Sequence, residues 1–236
     1  ELIAWYRSLG LNMYEGYAMS EDLAYSHLSK PGFAEAGYVG KPLEGVDVRI
    51  SEKGEILIKS PGKMFGYYKQ EDLTAKSFTE DGFFKTGDRG HRESNGMLKI
   101  TGRVKEIFKT SKGKYISPAP IENIINNDEN IELSCVSGLG YPQPYAQVQL
   151  AEDIRNNLTD AKKAEVTQAL NALLQLVNTR VEHHERLQFI AVTAEEWTAS
   201  NGCLTPTMKI RRSSIEDVTK GKLDGWYDSS DKVIWS

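Results

Sequence analysis

Residues 84–106 read FKTGDRGHRESNGMLKITGRVKE, Phe84 to Glu106, and the architecture of the chain is read outward from this stretch. Phe83-Phe84 opens an apolar run behind the turn pair Asp81-Gly82. Asn95-Gly96 is a second turn pair, and Met97-Leu98-Lys99-Ile100 follows it as another short strand. Toward the N-terminus, Val46, Val48 and Ile50 alternate with Asp47 and Arg49, the period of a half-buried strand. Ile56-Leu57-Ile58 lies beyond the Lys53-Gly54 turn, which predicts a hairpin, and Pro61-Gly62 marks one more turn. From about Gly40 to Gly102 the pattern is that of a small antiparallel barrel or sandwich. After Gly102-Arg103 it becomes mixed. Ser117-Pro118 is a helix start leading into Ile121, Ile124 and Ile125. Cys135-Val136, Val148-Leu150 and Phe189 to Val192 read as strands. Val166, Leu170, Leu173, Leu174 and Val177 form the apolar stripe of a long helix, and Ser213 to Tyr227 reads as a closing helix. The class is therefore α+β: a barrel-like subdomain within residues 1–102, then a compact mixed α/β domain over 103–236.

The front of the chain reads differently. Residues 1–10 form an amphipathic helix closed by Gly10, and Met13 to Tyr17 reads as a short buried strand. A helix followed by a strand is half of a βα unit whose parallel neighbours are not in this sequence. The chain opens on Glu1 without methionine, so a piece cut from a larger protein is expected, with residues 1–40 poorly supported. Composition narrows the function classes. A formal net charge of -4 argues against a nucleic-acid partner. Cys135 and Cys203 are the only cysteines, which excludes a disulfide framework or a cysteine-rich zinc site and fits a reducing, cytoplasmic home. No apolar run nears the roughly 20 residues that span a bilayer, which leaves only peripheral contact with a membrane open.

Four segments carry candidate chemistry: Tyr17-Ala18-Met19-Ser20-Glu21; Phe84-Lys85-Thr86-Gly87-Asp88, preceded by Gly66-Tyr67-Tyr68; Gly102-Arg103-Val104-Lys105-Glu106, continuing to Lys109 and Gly113; and Leu204-Thr205-Pro206-Thr207-Met208-Lys209-Ile210-Arg211-Arg212. Taken singly, each has an ordinary structural reading. Ser20-Glu21 suits a helix start. Thr86-Gly87-Asp88 suits a turn, Gly113 between two lysines suits a hairpin tip, and Lys209 beside two arginines suits an exposed basic face. His183 and His184, adjacent on a helix, point to different sides and do not share a metal. Cys135 reads as core.

In this order, from Tyr17 to Arg212, the set resembles the adenylate-forming superfamily of acyl-CoA synthetases, adenylation domains and luciferases. The resemblance implies ATP-dependent activation of a carboxylate to an acyl-adenylate, followed by attack of a thiol, coenzyme A. It makes Tyr17 the aromatic that stacks on adenine, with Ala18 beside it. Ser20 becomes a hydroxyl donor to phosphate and Glu21 the Mg²⁺ ligand. Asp88 becomes the acceptor of both ribose hydroxyls and Arg103 a second ribose contact. Lys209 becomes the catalytic lysine that bridges carboxylate and α-phosphate. Lys105 falls at the family's hinge, and Gly113 in a loop that lets the pantetheine arm of coenzyme A pass. Ala18 stands where glycine is usual, and Lys85 where arginine is common. The Thr-Pro-Thr-Met-Lys form around Lys209 is similar to long-chain fatty acyl-CoA synthetases, so fatty acid, ATP and coenzyme A are the expected partners. The Gly-rich phosphate loop of the family is not in the chain, which makes the piece alone inactive. Two alternatives stand beside this reading: a stand-alone, non-catalytic module that binds a nucleotide or partner, and another adenylating enzyme such as a peptide-synthetase adenylation domain or a luciferase.

Overall fold

Local pattern and turn chemistry become short ladders in the computed structural model, which describes residues 2–32 and 34–236. The fold is α+β and divides into two units, one ending at Lys105 and the other running Glu106–Ser236. In the first unit, helix α1 (Leu2–Ser8) is shorter than the expected 1–10 helix, and Glu1 lies outside the described residues. The helix buries none of its side chains, and Leu2 and Trp5 stand exposed. Strands β1 (Gly16–Tyr17), β2 (His27–Leu28) and β3 (Lys41–Pro42) form a three-stranded antiparallel sheet. The strand expected over Met13 to Tyr17 thus shrinks to its last residues. Its ladder partner β2 offers only two pairings, and Met13 and Tyr14 remain exposed.

The predicted hairpin is present as β4 (Asp47–Ile50) and β5 (Glu55–Lys59). Helix α2 (Glu71–Ser77), which had no clear signal in the sequence, precedes β6 (Phe84–Arg92) and β7 (Leu98–Arg103). These strands make one antiparallel sheet in the order β4-β5-β6-β7. The sheet is open, which corrects the barrel-like expectation. Closure requires the two edge strands to pair, and here β4 and β7 do not. The β7 edge is instead met by the segment before β3, through Val39 N–H to Leu98 O at 3.0 Å and Leu98 N–H to Gly40 O at 3.0 Å. On its other side Gly40 lies hard against β2: its φ is +83°, and an added Cβ would lie 2.3 Å from the Leu28 carbonyl carbon. Tyr17, Val46, Ile56, Ile58 and Leu98 form the core between these strands.

The second unit begins with a hairpin, β8 (Phe108–Lys109) and β9 (Tyr115–Ile116), followed by α3 (Pro118–Ile125) with Pro118 at the first turn, as the sequence predicts. Then come β10 (Ile131–Ser137), β11 (Tyr145–Leu150), the short α4 (Glu152–Asn156) and the long α5 (Asp160–Arg180). Thr159 caps α5, accepting from Lys162 N–H. Its buried side chains are Val166, Leu170, Leu173, Leu174 and Val177, the predicted stripe. Strand β12 (Ile190–Val192), helices α6 (Arg212–Thr219) and α7 (Leu223–Asp228), and β13 (Val233–Trp235) complete the unit. The sheet order is β10-β11-β12-β13, antiparallel at the first pair and parallel at the other two. The single closing helix expected over Ser213 to Tyr227 is broken by a 3-10 turn at Lys220–Lys222, where Gly221 disfavours continuation. His183 and His184 sit in another 3-10 turn, His183–Glu185, rather than on a helix. Cys135 is fully buried in β10, as expected of a core residue.

Candidate functional site

Asp88 on β6 faces Arg103 on β7 as a direct cross-strand pair, and this register explains their contact: Arg103 Nε lies 2.9 Å from Asp88 Oδ1. The Asp88 side chain is 15% exposed, whereas that of Arg103 is 59% exposed. From β1, the Tyr17 hydroxyl donates to Asp88 Oδ2 at 2.5 Å. The Tyr17 ring belongs to the core of the first unit and is 8% exposed. Burial, and then the bond to Asp88, hold its hydroxyl protonated far above the ordinary tyrosine range. Each carboxylate oxygen of Asp88 therefore has one protein donor, and a carboxylate offers about four acceptor positions. Two remain, the number that a pair of vicinal hydroxyls requires. Gly87, at φ +72°, turns the strand just before Asp88, and its N–H is held by Glu55 Oε1 at 3.0 Å.

Ser20 and Glu21 lie in a 3-10 turn, Ser20–Asp22, directly after β1. Asp22 fastens this turn from inside: it is 2% exposed, and its Oδ1 accepts from Met19 N–H at 3.3 Å. Ser20 and Ala18 are exposed. Glu21 is half-buried, and its Oε1 accepts from Tyr67 Oη at 3.0 Å. The Tyr67 hydroxyl is pushed up by burial and by that bond. The loop carrying Tyr67 is tied to the turn a second time, by Met64 N–H to Glu21 O at 2.7 Å. The sequence assigns no role to Tyr67, which stands only within the Gly66-Tyr67-Tyr68 string, or to Asp22. The Gly66-Tyr67 pair was the available signal for the first; nothing local marks the second. Among the described residues no group of three or more His, Cys, Asp or Glu could hold a metal ion. One anchored carboxylate is what a magnesium ion needs when phosphate oxygens and water complete its shell, so Glu21 fits that role. Lys85 is exposed, its ammonium donating to Lys76 O at 3.1 Å.

Lys105 is exposed and is the last residue of the first unit, within a 3-10 turn over Val104–Glu106. Gly113 is at the tip of the β8–β9 hairpin with φ +79°, so the turn itself requires a glycine there. Nothing closer than Lys109 Cε, at 3.7 Å, would meet a side chain at that position. The hairpin is braced by Ser111 N–H to Tyr141 O at 2.9 Å and Gly140 N–H to Lys109 O at 3.0 Å.

Lys209 rides on a tight loop whose legs pair at Leu204 and Ile210. Thr205 N–H donates to Lys209 O at 2.8 Å, and Lys209 N–H to Thr205 Oγ1 at 3.1 Å. Met208 takes a left-handed φ of +61°, which turns the chain and leaves the Lys209 side chain exposed, with no ion-pair partner among the described residues. Leu204 and Ile210 plug the loop into a cluster with Cys135, Trp197, Cys203 and Ile215. No helix among the described residues is long and apolar enough to cross a membrane.

Residues 105–231 match the model of the AMP-binding enzyme C-terminal domain. A long-chain-fatty-acid–CoA ligase of Mycobacterium bovis, FadD15, is 32% identical, the match covering 95% of this chain and 39% of that protein. Long-chain-fatty-acid–CoA ligase 1 of Cavia porcellus is 29% identical over 94% of this chain and 35% of its own length. The chain thus spans a little over a third of these curated relatives. The fold is similar to that of o-succinylbenzoate CoA synthetase from Bacillus subtilis, solved with its acyl-adenylate, with a TM-score of 0.74 at 22% identity over 92% of this chain and 43% of that one.

Proposed function

The chain belongs to the AMP-binding enzymes, and on that premise we propose that the whole protein is a long-chain fatty acid–CoA ligase. A fatty carboxylate oxygen attacks the α-phosphorus of ATP, pyrophosphate leaves, and an acyl-adenylate forms. The thiol of coenzyme A then attacks the acyl carbonyl, and AMP leaves. The observation that carries the reading is Asp88, half-buried and fixed by one donor on each oxygen, with two acceptor positions left for ribose hydroxyls. Tyr17 serves as the adenine neighbour and as the donor that orders Asp88, with Ala18 alongside. Arg103 supplies the second ribose contact. Ser20 donates to phosphate, and Glu21, steadied by Tyr67, takes the Mg²⁺ that accompanies ATP.

Lys209 offsets the repulsion between carboxylate and α-phosphate in the first step. Its ammonium, with no ion-pair partner among the described residues, stands on an exposed loop and suits that task. Lys105 is the hinge residue, and the Gly113 hairpin serves thioester formation. Relatives named as long-chain-fatty-acid–CoA ligases across 95% and 94% of the chain favour a fatty acid over an amino acid or luciferin. Two free, buried cysteines suit a reducing, cytoplasmic setting.

The test is ATP–pyrophosphate exchange by the whole protein with palmitate, for the wild type and Lys209→Ala. Exchange that requires palmitate and falls by roughly 100-fold or more in the variant is expected. Exchange that survives the substitution removes Lys209 from the chemistry, and no exchange with any carboxylate overturns the ligase reading.

A further inference from the structure

Behind the Lys209 loop lies a buried polar cluster that the proposed chemistry does not use. Arg212 is the first residue of α6, three positions after Lys209. Its side chain is 11% exposed and that of Glu122 is 10% exposed. Arg212 Nη1 donates to Glu122 Oε1 at 2.6 Å and to Val136 O at 2.6 Å, and lies 3.4 Å from Cys135 Sγ. Nη2 donates to Glu122 Oε2 at 3.2 Å and to Glu106 Oε2 at 3.4 Å. Glu122 Oε1 also accepts from Val136 N–H at 2.7 Å. One guanidinium therefore gathers α3, strand β10 and Glu106, the residue after the proposed hinge, onto the root of the lysine loop. Arg212 Nε is buried without a hydrogen-bond partner among the described residues, so the cluster is not the cheapest way to fill this space.

A buried ion pair contributes little net stability compared with an apolar filling, yet it fixes geometry: a planar fork bonded to both oxygens of a carboxylate permits one orientation. The anchoring partners are themselves immobile. Ile121 and Ile125 of α3 are fully buried, as are Cys135 and Val136 of β10. The lysine loop is the exposed partner, and it needs the fixing.

Resting on the ligase reading above, we propose that Arg212 is a positioning residue for adenylation: through the Glu122 carboxylate and the Val136 carbonyl it sets the place of Lys209, without itself touching substrate. Its effect must then pass through Lys209. The Gly113 hairpin, braced by the Gly138–Tyr141 segment rather than by Arg212, is independent of it.

The experiment uses the whole protein as wild type, Arg212→Lys, Glu122→Gln, Lys209→Ala, and the double variant Lys209→Ala/Arg212→Lys. Pyrophosphate exchange reads adenylation, and transfer from synthetic palmitoyl-adenylate to coenzyme A reads the second step. Arg212→Lys keeps the charge but loses the fork. It is expected to lower the exchange kcat by about 10- to 100-fold, the scale of a misplacement near one ångström. The KM values for ATP and palmitate, and the transfer rate, should stay within about twofold. Glu122→Gln should behave alike, and it carries the same test if Arg212→Lys is poorly folded. In the Lys209→Ala background, Arg212→Lys should cost no more than about a further twofold. A loss that multiplies in that background, or a transfer rate that falls together with exchange, overturns the assignment, because damage to the fold would act regardless of Lys209. Absence of exchange in the wild type overturns the ligase reading and this inference with it, an outcome distinct from either of those.

Discussion

Acidification should loosen the first unit through one residue, His27. His27 is 3% exposed and its Nδ1 lies 2.8 Å from Ser26 Oγ, while Nε2 is buried with no hydrogen-bond partner among the described residues. The ring stands 6.0 Å from that of Tyr17. Burial, and then the positive charge of Arg92, lower its pKa to about 4. In the unfolded chain the value is about 6.5. The folded value is the lower one, so the unfolded chain takes up the proton first. The stability contributed by neutral His27 is complete above the unfolded value and is lost as pH falls toward the folded one. With these two values, about 2 kcal/mol disappears between pH of about 8 and about 5, and about 3 kcal/mol once both states are protonated.

Asp22, whose carboxyl is raised by burial, acts in the opposite sense, so the wild-type profile alone does not isolate the histidine. His27→Asn keeps a partner for Ser26 and removes the titration. Opening free energies from hydrogen exchange at Ser29 N–H and Leu43 N–H, bonded to Glu15 O and Ser26 O at 2.8 Å each, report on this unit. The wild type should lose about 2 kcal/mol more than the variant over that pH interval. A double difference below about 0.5 kcal/mol would refute the argument, because it would mean that His27 charges as readily folded as unfolded.

Tyr67→Phe deletes the donor to Glu21 and should lower kcat/KM for exchange by about tenfold, the worth of one hydrogen bond to a charged group, with the loss seen in the magnesium dependence. An unchanged magnesium titration would show that Tyr67 does not orient Glu21. Gly40→Ala forces a side chain into a left-handed backbone position and against the Leu28 carbonyl, so the first unit should lose about 2 kcal/mol or more in the same exchange measurement.

Where the pattern in the sequence is a matter of nearest neighbours, it predicts the fold well. The Lys53-Gly54 hairpin, the Pro118 helix start and the Val166 to Val177 stripe each follow from a local rule, and each is present. The failures have a common cause in long-range pairing. Alternation in Val46 to Ile50 announces a strand but not whether its far edge finds β7, so an open sheet read as a barrel. Met13 to Tyr17 is apolar enough for a strand, yet ladder length is set by β2, eleven residues further on from Gly16, with only two residues to pair. Strand β13 ends the chain as Val233–Trp235, too short to stand out from a polar tail, and exists because β12 supplies a parallel edge. The candidate site shows the same split. Tyr17, Glu21, Asp88 and Lys209 sit in recognisable strings. Tyr67 and Arg212 act on residues 46 and 90 positions away, and no local pattern announces that.

The two units hold their candidate residues by different means, and the difference has consequences for mutation. In the first unit the candidate residues hold one another: Tyr17 and Arg103 on Asp88, Tyr67 on Glu21. Replacing one therefore changes the orientation of the next as well as its own contact, and single substitutions there should be non-additive. In the second unit the Lys209 side chain makes no hydrogen bond or ion pair among the described residues. Its backbone is held by Thr205, its loop by Leu204 and Ile210, and the root of the loop by Arg212. Its ammonium thus has no hydrogen-bond or ion-pair partner among the described residues, while its backbone is tied down. That combination suits a group that must bring charge to a reaction without first breaking a bond to the protein, and it makes the support, rather than the lysine's own surroundings, the place where altered geometry would be felt.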